Sequence, residues 1–215
     1  MAEWITARQF SESEGVAAWR VLAGSVAAHF RTGTFDASVD LLDAIGELAA
    51  AATDPDVTLR PAGVTVRLTG DVEHGLSRRD AELARDISAA AHRLGAVADP
   101  GAVQDVQVAI DAQDVPAVRA FWCAVLGYRE VGEEDLLDPS TRGPSFWFQE
   151  MDAPRPQRNR VHVDVFVPHD RAEARIAAAV AAGGRVVSDG HAPQWWTLAD
   201  PEGNEVDVAT WVGRD

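Results

Sequence analysis

The stretch Trp195-Trp196-Thr197-Leu198-Ala199-Asp200-Pro201-Glu202-Gly203-Asn204-Glu205-Val206-Asp207-Val208-Ala209 decides the fold of the second half of the chain. Residues 195–199 and 205–209 have the apolar and β-branched character of strands, and Asp200-Pro201-Glu202-Gly203-Asn204 has the composition of a tight hairpin between them. Toward the N-terminus, the pattern predicts a strand over 185–187, a helix over 171–182 and a strand over 161–167. The same series precedes it: a strand over 106–111, a helix over 115–126 ended by Gly127, where a left-handed residue fits, and strands over 128–131, 135–137 and 146–150. A β-α-β-β-β order that occurs twice implies two half-sites facing one cleft, because a solenoid needs three or more units.

Ahead of this duplicated block the sequence changes character. Two short strands over 19–22 and 27–31 lead to a helix over 35–52, in which Val39, Leu42, Ile45, Leu48 and Ala49 recur every three or four residues. Strands follow over 57–60 and 64–68. A helix then runs from Ser77 to about Leu94, opened by a capping box with Ser77 as N-cap and Asp80 at the third position. Gly95-Ala96-Val97-Ala98-Asp99-Pro100-Gly101 is rich in small residues and broken by proline, as a domain boundary is. The chain reads as an α+β protein of two domains, 1–97 and 104–212: a helix-on-antiparallel-sheet domain and a duplicated βαβββ domain.

A length of 215 residues gives both domains room for a core. Lys and Arg total 19 against 34 acids, a net charge of -15. That balance repels a nucleic-acid backbone and an anionic membrane surface, leaving a small molecule or another protein as partner. No run approaches the roughly 18 apolar residues of a membrane helix, and Met1-Ala2-Glu3-Trp4 lacks a signal-peptide pattern, so the expected location is the cytoplasm. Cys123 is the single cysteine; set between Trp122 and Ala124 in a helix, it reads as a small buried hydrophobe.

From Trp19 to about Asp99 the chain resembles the pterin-4a-carbinolamine dehydratase family. The matching residues are Trp19-Arg20-Val21-Leu22, Phe30, Phe35, Pro55-Asp56-Val57-Thr58-Leu59-Arg60, the 64–68 strand and Gly75-Leu76-Ser77-Arg78-Arg79-Asp80-Ala81-Glu82-Leu83-Ala84. The resemblance implies a scaffold that dehydrates a 4a-hydroxytetrahydropterin with histidines. Where that family carries its histidines, this chain has Thr53 and Asp54 ahead of Pro55, and Asp71 further on, so the site is degenerate. An ordinary carboxylate, with a pKa of about 4, is a poor general acid near neutral pH. Asp54 and Asp71 regain acid–base competence only if burial separates their pKa values; otherwise they are turn residues and His74 a solvated loop residue.

From Val106 to Trp211 the chain resembles the vicinal oxygen chelate superfamily, in its glyoxalase-like and bleomycin-resistance-like branch. The resemblance rests on Asp111-Ala112-Gln113-Asp114, Ala120-Phe121-Trp122-Cys123-Ala124-Val125-Leu126-Gly127-Tyr128, Phe148-Gln149, Asn159-Arg160-Val161-His162-Val163-Asp164 and Trp196 through Glu205. It implies that in metal-using members four inward side chains, on the first and last strands of each half, bind a divalent ion. Here those positions fall on Gln107, His162 and Asp207, with the fourth near Trp147 and Gln149 two residues on. One histidine, one carboxylate and uncharged amides make a weak set, so the expectation is a cleft without a cofactor. A divalent metal on Gln107, His162 and Asp207 is the alternative.

His162 and Asp164 lie two apart on one strand and project to one face. Such a pair serves as an oriented general base or as a satisfied polar pair in a pocket wall. Trp147 and Trp196 would add flat walls for a ring-bearing ligand; strand alternation lets only one of Trp195 and Trp196 face the cleft, and the resemblance favours Trp196. The expected function is a lyase- or isomerase-type small-molecule enzyme with His162 and Asp164 catalytic and Gln107, Trp147, Gln149, Trp196 and Asp207 contacting an aromatic ligand. The first domain is then a scaffold or second site, and exposed sheet edges point to a homo-oligomer. The rival is a non-catalytic protein that sequesters an aromatic compound, as resistance members of the superfamily do. A third reading keeps pterin dehydration, with Thr53, Asp54 and Asp71 as the replaced residues.

Overall fold

The computed structural model describes residues 3–22, 24–49, 55–71, 74–154, 157 and 161–213. The chain divides into two compact units, Met1–Asp105 and Val106–Asp215.

In the first unit a short helix, α1 (Ala7–Ser11), precedes strands β1 (Arg20–Leu22) and β2 (Ser25–Arg31), helix α2 (Phe35–Ala49), strands β3 (Asp56–Arg60) and β4 (Gly63–Thr69), and helix α3 (Arg78–Arg93). The four strands pair antiparallel in the order β1-β2-β4-β3. Val26, Ala28 and Phe30 of β2 pair in register with Leu68, Val66 and Val64 of β4 on one face, none more than 2% exposed. Leu41 and Ile45 of α2 and Leu83, Ala84 and Ile87 of α3 join them in one core. The capping box at α3 forms: Ser77 N–H donates to Asp80 Oδ2 at 2.7 Å and Asp80 N–H to Ser77 Oγ at 3.3 Å.

Two elements here differ from the sequence reading. Helix α1 opens on a second capping box, in which Gln9 N–H donates to Thr6 Oγ1 at 3.1 Å and Thr6 N–H to Gln9 Oε1 at 2.8 Å; five residues are too few for a periodic signal. The boundary stretch is partly ordered as β5 (Val97–Ala98), which pairs with Phe30 and Arg31 of β2. Beyond it, Arg67 of β4 holds Asp105 through two nitrogens, one at 2.9 Å.

The second unit contains β6 (Gln107–Ala112), α4 (Val115–Leu126), β7 (Arg129–Val131), β8 (Asp135–Leu137) and β9 (Ser145–Glu150), then β10 (Val163–Phe166), a 3-10 turn (His169–Arg171), α5 (Ala172–Ala181), β11 (Arg185–Ser188), β12 (Trp195–Ala199) and β13 (Glu205–Ala209). Each half makes its own four-stranded sheet in the same order, β6-β9-β8-β7 and β10-β13-β12-β11. One core serves both: Phe121, Trp122 and Val125 of α4 and Phe146 and Phe148 of β9 cluster with Ala179 of α5, Leu198 of β12 and Val206 and Val208 of β13. Gly127 ends α4 at φ 71°, and a Cβ there would also meet the Arg175 guanidinium, whose Nη1 donates to the Val125 carbonyl at 2.9 Å.

The two halves are stapled by the β12–β13 turn. Asp200 is fully buried. Its Oδ1 accepts from the N–H groups of Glu202 and Asn204, both at 2.9 Å, and its Oδ2 from Asn204 Nδ2 at 2.7 Å and from Trp122 Nε1, across on α4, at 3.0 Å. Glu202 then accepts from the N–H groups of Gln113 and Asp114 at 2.8 and 2.7 Å, just ahead of α4, where a negative charge is favoured. The β8–β9 turn carries the corresponding Asp138, which folds its own loop. Burial pushes this carboxyl up, but the N–H groups of Ser140 and Gly143, the Ser140 hydroxyl and the Arg142 N–H outweigh that and bring its pKa to about 2.

Truncating Asp200 strands several buried donors at once. Asp200→Ala is therefore expected to destabilise the second unit by about 3 kcal/mol or more in urea unfolding. Because the Asp138 pKa is depressed in the folded state, its stabilisation is complete above pH ~4, the unfolded value, and is lost as pH falls toward 2. Asp138→Asn should flatten the acid-unfolding profile, followed by circular dichroism, in that window.

Candidate active site

The outer face of the second sheet, opposite the core, assembles a polar cluster. Strand register sets Asp164 of β10 beside Asp207 of β13, and Asp207 beside Thr197 of β12. Their neighbours Val163, Val206, Val208 and Leu198 turn inward, so alternation places the three polar side chains outside. Thr197 Oγ1 donates to Asp207 Oδ1 at 2.6 Å. His162 lies one residue ahead of β10 rather than within it, and its Nε2 is 3.2 Å from Asp164 Oδ1 and 3.8 Å from Asp207 Oδ2. Asp207 is mostly covered, with 16% of its side chain exposed, against 53% for His162 and 52% for Asp164. One donor atom from each of the three lies within 4.8 Å of the others.

His162 also lines a cavity of about 630 Å³. It is lined by Val108 to Asp111 of β6, by Val161 to Val163, by Gly203 to Glu205 and by the buried Trp122 and Phe146. Asp164 and Asp207 stand outside this lining and reach it through His162.

The remaining expected residues fall elsewhere. Gln107 donates from Nε2 to Asp135 Oδ1 at 3.4 Å. Burial raises the pKa of that carboxyl, the Glu134 charge adds to the rise, and Arg119 offsets part of it. Trp147 pairs in register with Ala109 and Asp135, and Gln149 with Asp111, on the outer face of the first sheet; neither they nor Gln107 line the cavity. Trp196 takes the face of β12 opposite the His162 cluster. It registers with Val208, packs against the core and lies beside Ile176 and Val180 of α5. Trp195 takes the outer face and stacks on His191 with ring centroids 4.1 Å apart. Sequence reasoning missed Thr197; its signal was its position two residues from Trp195, on the face of Asp207.

In the first unit, Thr53 and Asp54 lie outside the described residues. Asp71 sits in a tight turn bridged to Gly75, where its Oδ1 accepts from the His74 N–H at 3.0 Å and lies 2.8 Å from His74 Nδ1. The His74 ring stacks on Trp4 at 4.7 Å.

Residues 107–209 match the glyoxalase-like domain family, and residues 4–90 match pterin 4 alpha carbinolamine dehydratase. No match is found among curated proteins. Similar solved structures include a glyoxalase-related enzyme from Fulvimarina pelagi, 18% identical over 50% of this chain and 87% of the other, with a TM-score of 0.40. A glyoxalase/bleomycin resistance protein from Albidiferax ferrireducens T118 is 19% identical over 49% and 96%, TM-score 0.39. The fosfomycin resistance protein FosX from Listeria monocytogenes is 10% identical over 48% and 88%, TM-score 0.39.

The opposite faces of the two tryptophans separate their effects. Trp196→Ala should cost about 2 kcal/mol of stability through lost core packing, and Trp195→Ala under about 1 kcal/mol, as read by urea unfolding.

Proposed function

Because the chain joins a pterin 4 alpha carbinolamine dehydratase domain to a glyoxalase-like domain, we propose that the glyoxalase-like domain admits a small, ring-bearing organic molecule to the cavity beside His162 and transfers a proton on it, in chemistry of the lyase or isomerase type. The observation that carries this reading is the double placement of His162, at the cavity wall and within 3.2 and 3.8 Å of two carboxylates. Those carboxylates orient the imidazole and stabilise the imidazolium that forms when it takes a proton, while the Thr197 hydroxyl keeps Asp207 in place. The apolar lining at Trp122 and Phe146 would hold the body of the ligand away from water. In this reading the first domain is a scaffold or second site, the open strand edges support a homo-oligomer, and the protein works in the cytoplasm.

A second reading rests on the donor set itself. The mutual spacing of His162, Asp164 and Asp207 fits one divalent ion, since donors about 2.1 Å from a common ion lie roughly 3 Å apart and two hard carboxylates with an imidazole suit such an ion. A bound ion would supply Lewis-acid polarisation of a ligand oxygen.

Thermal-shift screening with aromatic metabolites, pterins included, identifies the ligand, because binding to the native state raises the melting temperature. His162→Ala should keep that rise while turnover falls by about 100-fold or more. Turnover that survives His162→Ala overturns the proton-transfer role. Activity unchanged by a chelator is expected on the first reading; on the second, Asp207→Asn lowers Mn2+ affinity in calorimetry by about tenfold or more.

A further inference from the structure

The cavity beside His162 is walled by strand edges rather than by a sheet face. Neighbouring side chains of a strand point to opposite faces, so a cavity lying on one face touches every second residue. This one touches Val108, Ala109, Ile110 and Asp111 in unbroken series on β6. It touches Val161, His162 and Val163 in the same way at the start of β10. β6 pairs with β9 and β10 with β13, and among the described residues neither has a strand on its other side.

The backbone direction at these edges follows from two hydrogen bonds. The Ala112 carbonyl accepts from the Met151 N–H at 2.9 Å, on the side of β9. Peptide groups of a strand turn to alternate sides residue by residue, which aims the N–H and C=O of Ala109 and Asp111 into the cavity. Likewise the Val167 N–H donates to the Ala209 carbonyl of β13 at 3.0 Å, which turns the peptide groups of His162 and Asp164 to the open edge of β10.

Resting on the reading that this cavity is the site of a ring-bearing ligand, we propose that this ligand is a short peptide carrying aromatic side chains: an extended chain whose alternating amide N–H and C=O groups pair with the β6 edge at Ala109 and Asp111. The ligand adds a strand to the sheet, and every second side chain turns toward the lining rings of Trp122 and Phe146. Four edge residues span about 13 Å, which sets the bound segment at about three or four residues.

The test uses the full chain, labelled with nitrogen-15, and a pool of N-acetylated tetrapeptide amides with aromatic residues at alternate positions. Binding with a dissociation constant of about 1 mM or tighter is expected. The Ala109 and Asp111 amide resonances should move, and their hydrogen exchange should slow about tenfold. Two further pools, N-methylated at one or the other set of alternate nitrogens, distinguish edge pairing from burial alone: one set abolishes binding and the other leaves it intact. Ala109→Pro removes an edge donor without removing a bond to β9 and should abolish peptide binding. If that variant fails to fold, the N-methyl pattern on the wild-type chain decides. Equal tolerance of both N-methylated pools, or shifts confined to the first unit, overturns the proposal. If no peptide binds while a small ligand still depends on His162, the peptide assignment alone falls. If nothing binds the cavity at all, the reading beneath it falls as well.

Discussion

One buried carboxylate, that of Asp200, holds the glyoxalase-like domain in register. A polar group out of water is tolerated only when its lone pairs are satisfied, and here four donors meet them, three from its own turn and one from Trp122 on the other half. That wrapping fixes how β12 returns as β13. The return sets Thr197 against Asp207, and Asp207 against Asp164. The geometry around His162 is thus downstream of a group with no part in its chemistry.

Much of the architecture was legible because its signals are local. The Ser77–Asp80 capping box, Gly127 at the end of α4 and the Asp200–Asn204 turn each announce an element boundary within a few residues, and the structure places elements accordingly. What was not legible depends on pairing partners distant in sequence. Helix α1 is too short for periodicity, and β5 exists only because β2 offers it an edge. The face taken by Trp196 follows from its register with Val208, which alternation within one strand does not reveal. The candidate site shows the same limit. His162 and Asp164 are two apart on the chain, but Asp207 joins them through the pairing of β10 with β13, and Gln107 turns to Asp135, a partner 28 residues along the chain.

The two halves have diverged within a shared plan. Each has an Asp-Pro pair between its third and fourth strands, Asp138-Pro139 and Asp200-Pro201. The second turns inward to bind the opposite half, while the first organises its own loop and stays near solvent. Carboxylates and histidine gather on the second sheet, while the matching face of the first carries Trp147, Gln149 and the Gln107–Asp135 pair. The two halves share one frame, and among the described residues the histidine–carboxylate cluster lies on the second.

The separate sheets of the second unit have a topological consequence. Each half completes its hydrogen-bonded ladder with its own four strands, and the union of halves relies on side chains of α4, α5 and the Asp200 turn. Among the described residues no strand ladder runs between the halves, and what joins them is side-chain packing and the buried Asp200 carboxylate. Side-chain substitutions in that packing would therefore loosen the halves from each other without breaking a hydrogen bond of either sheet.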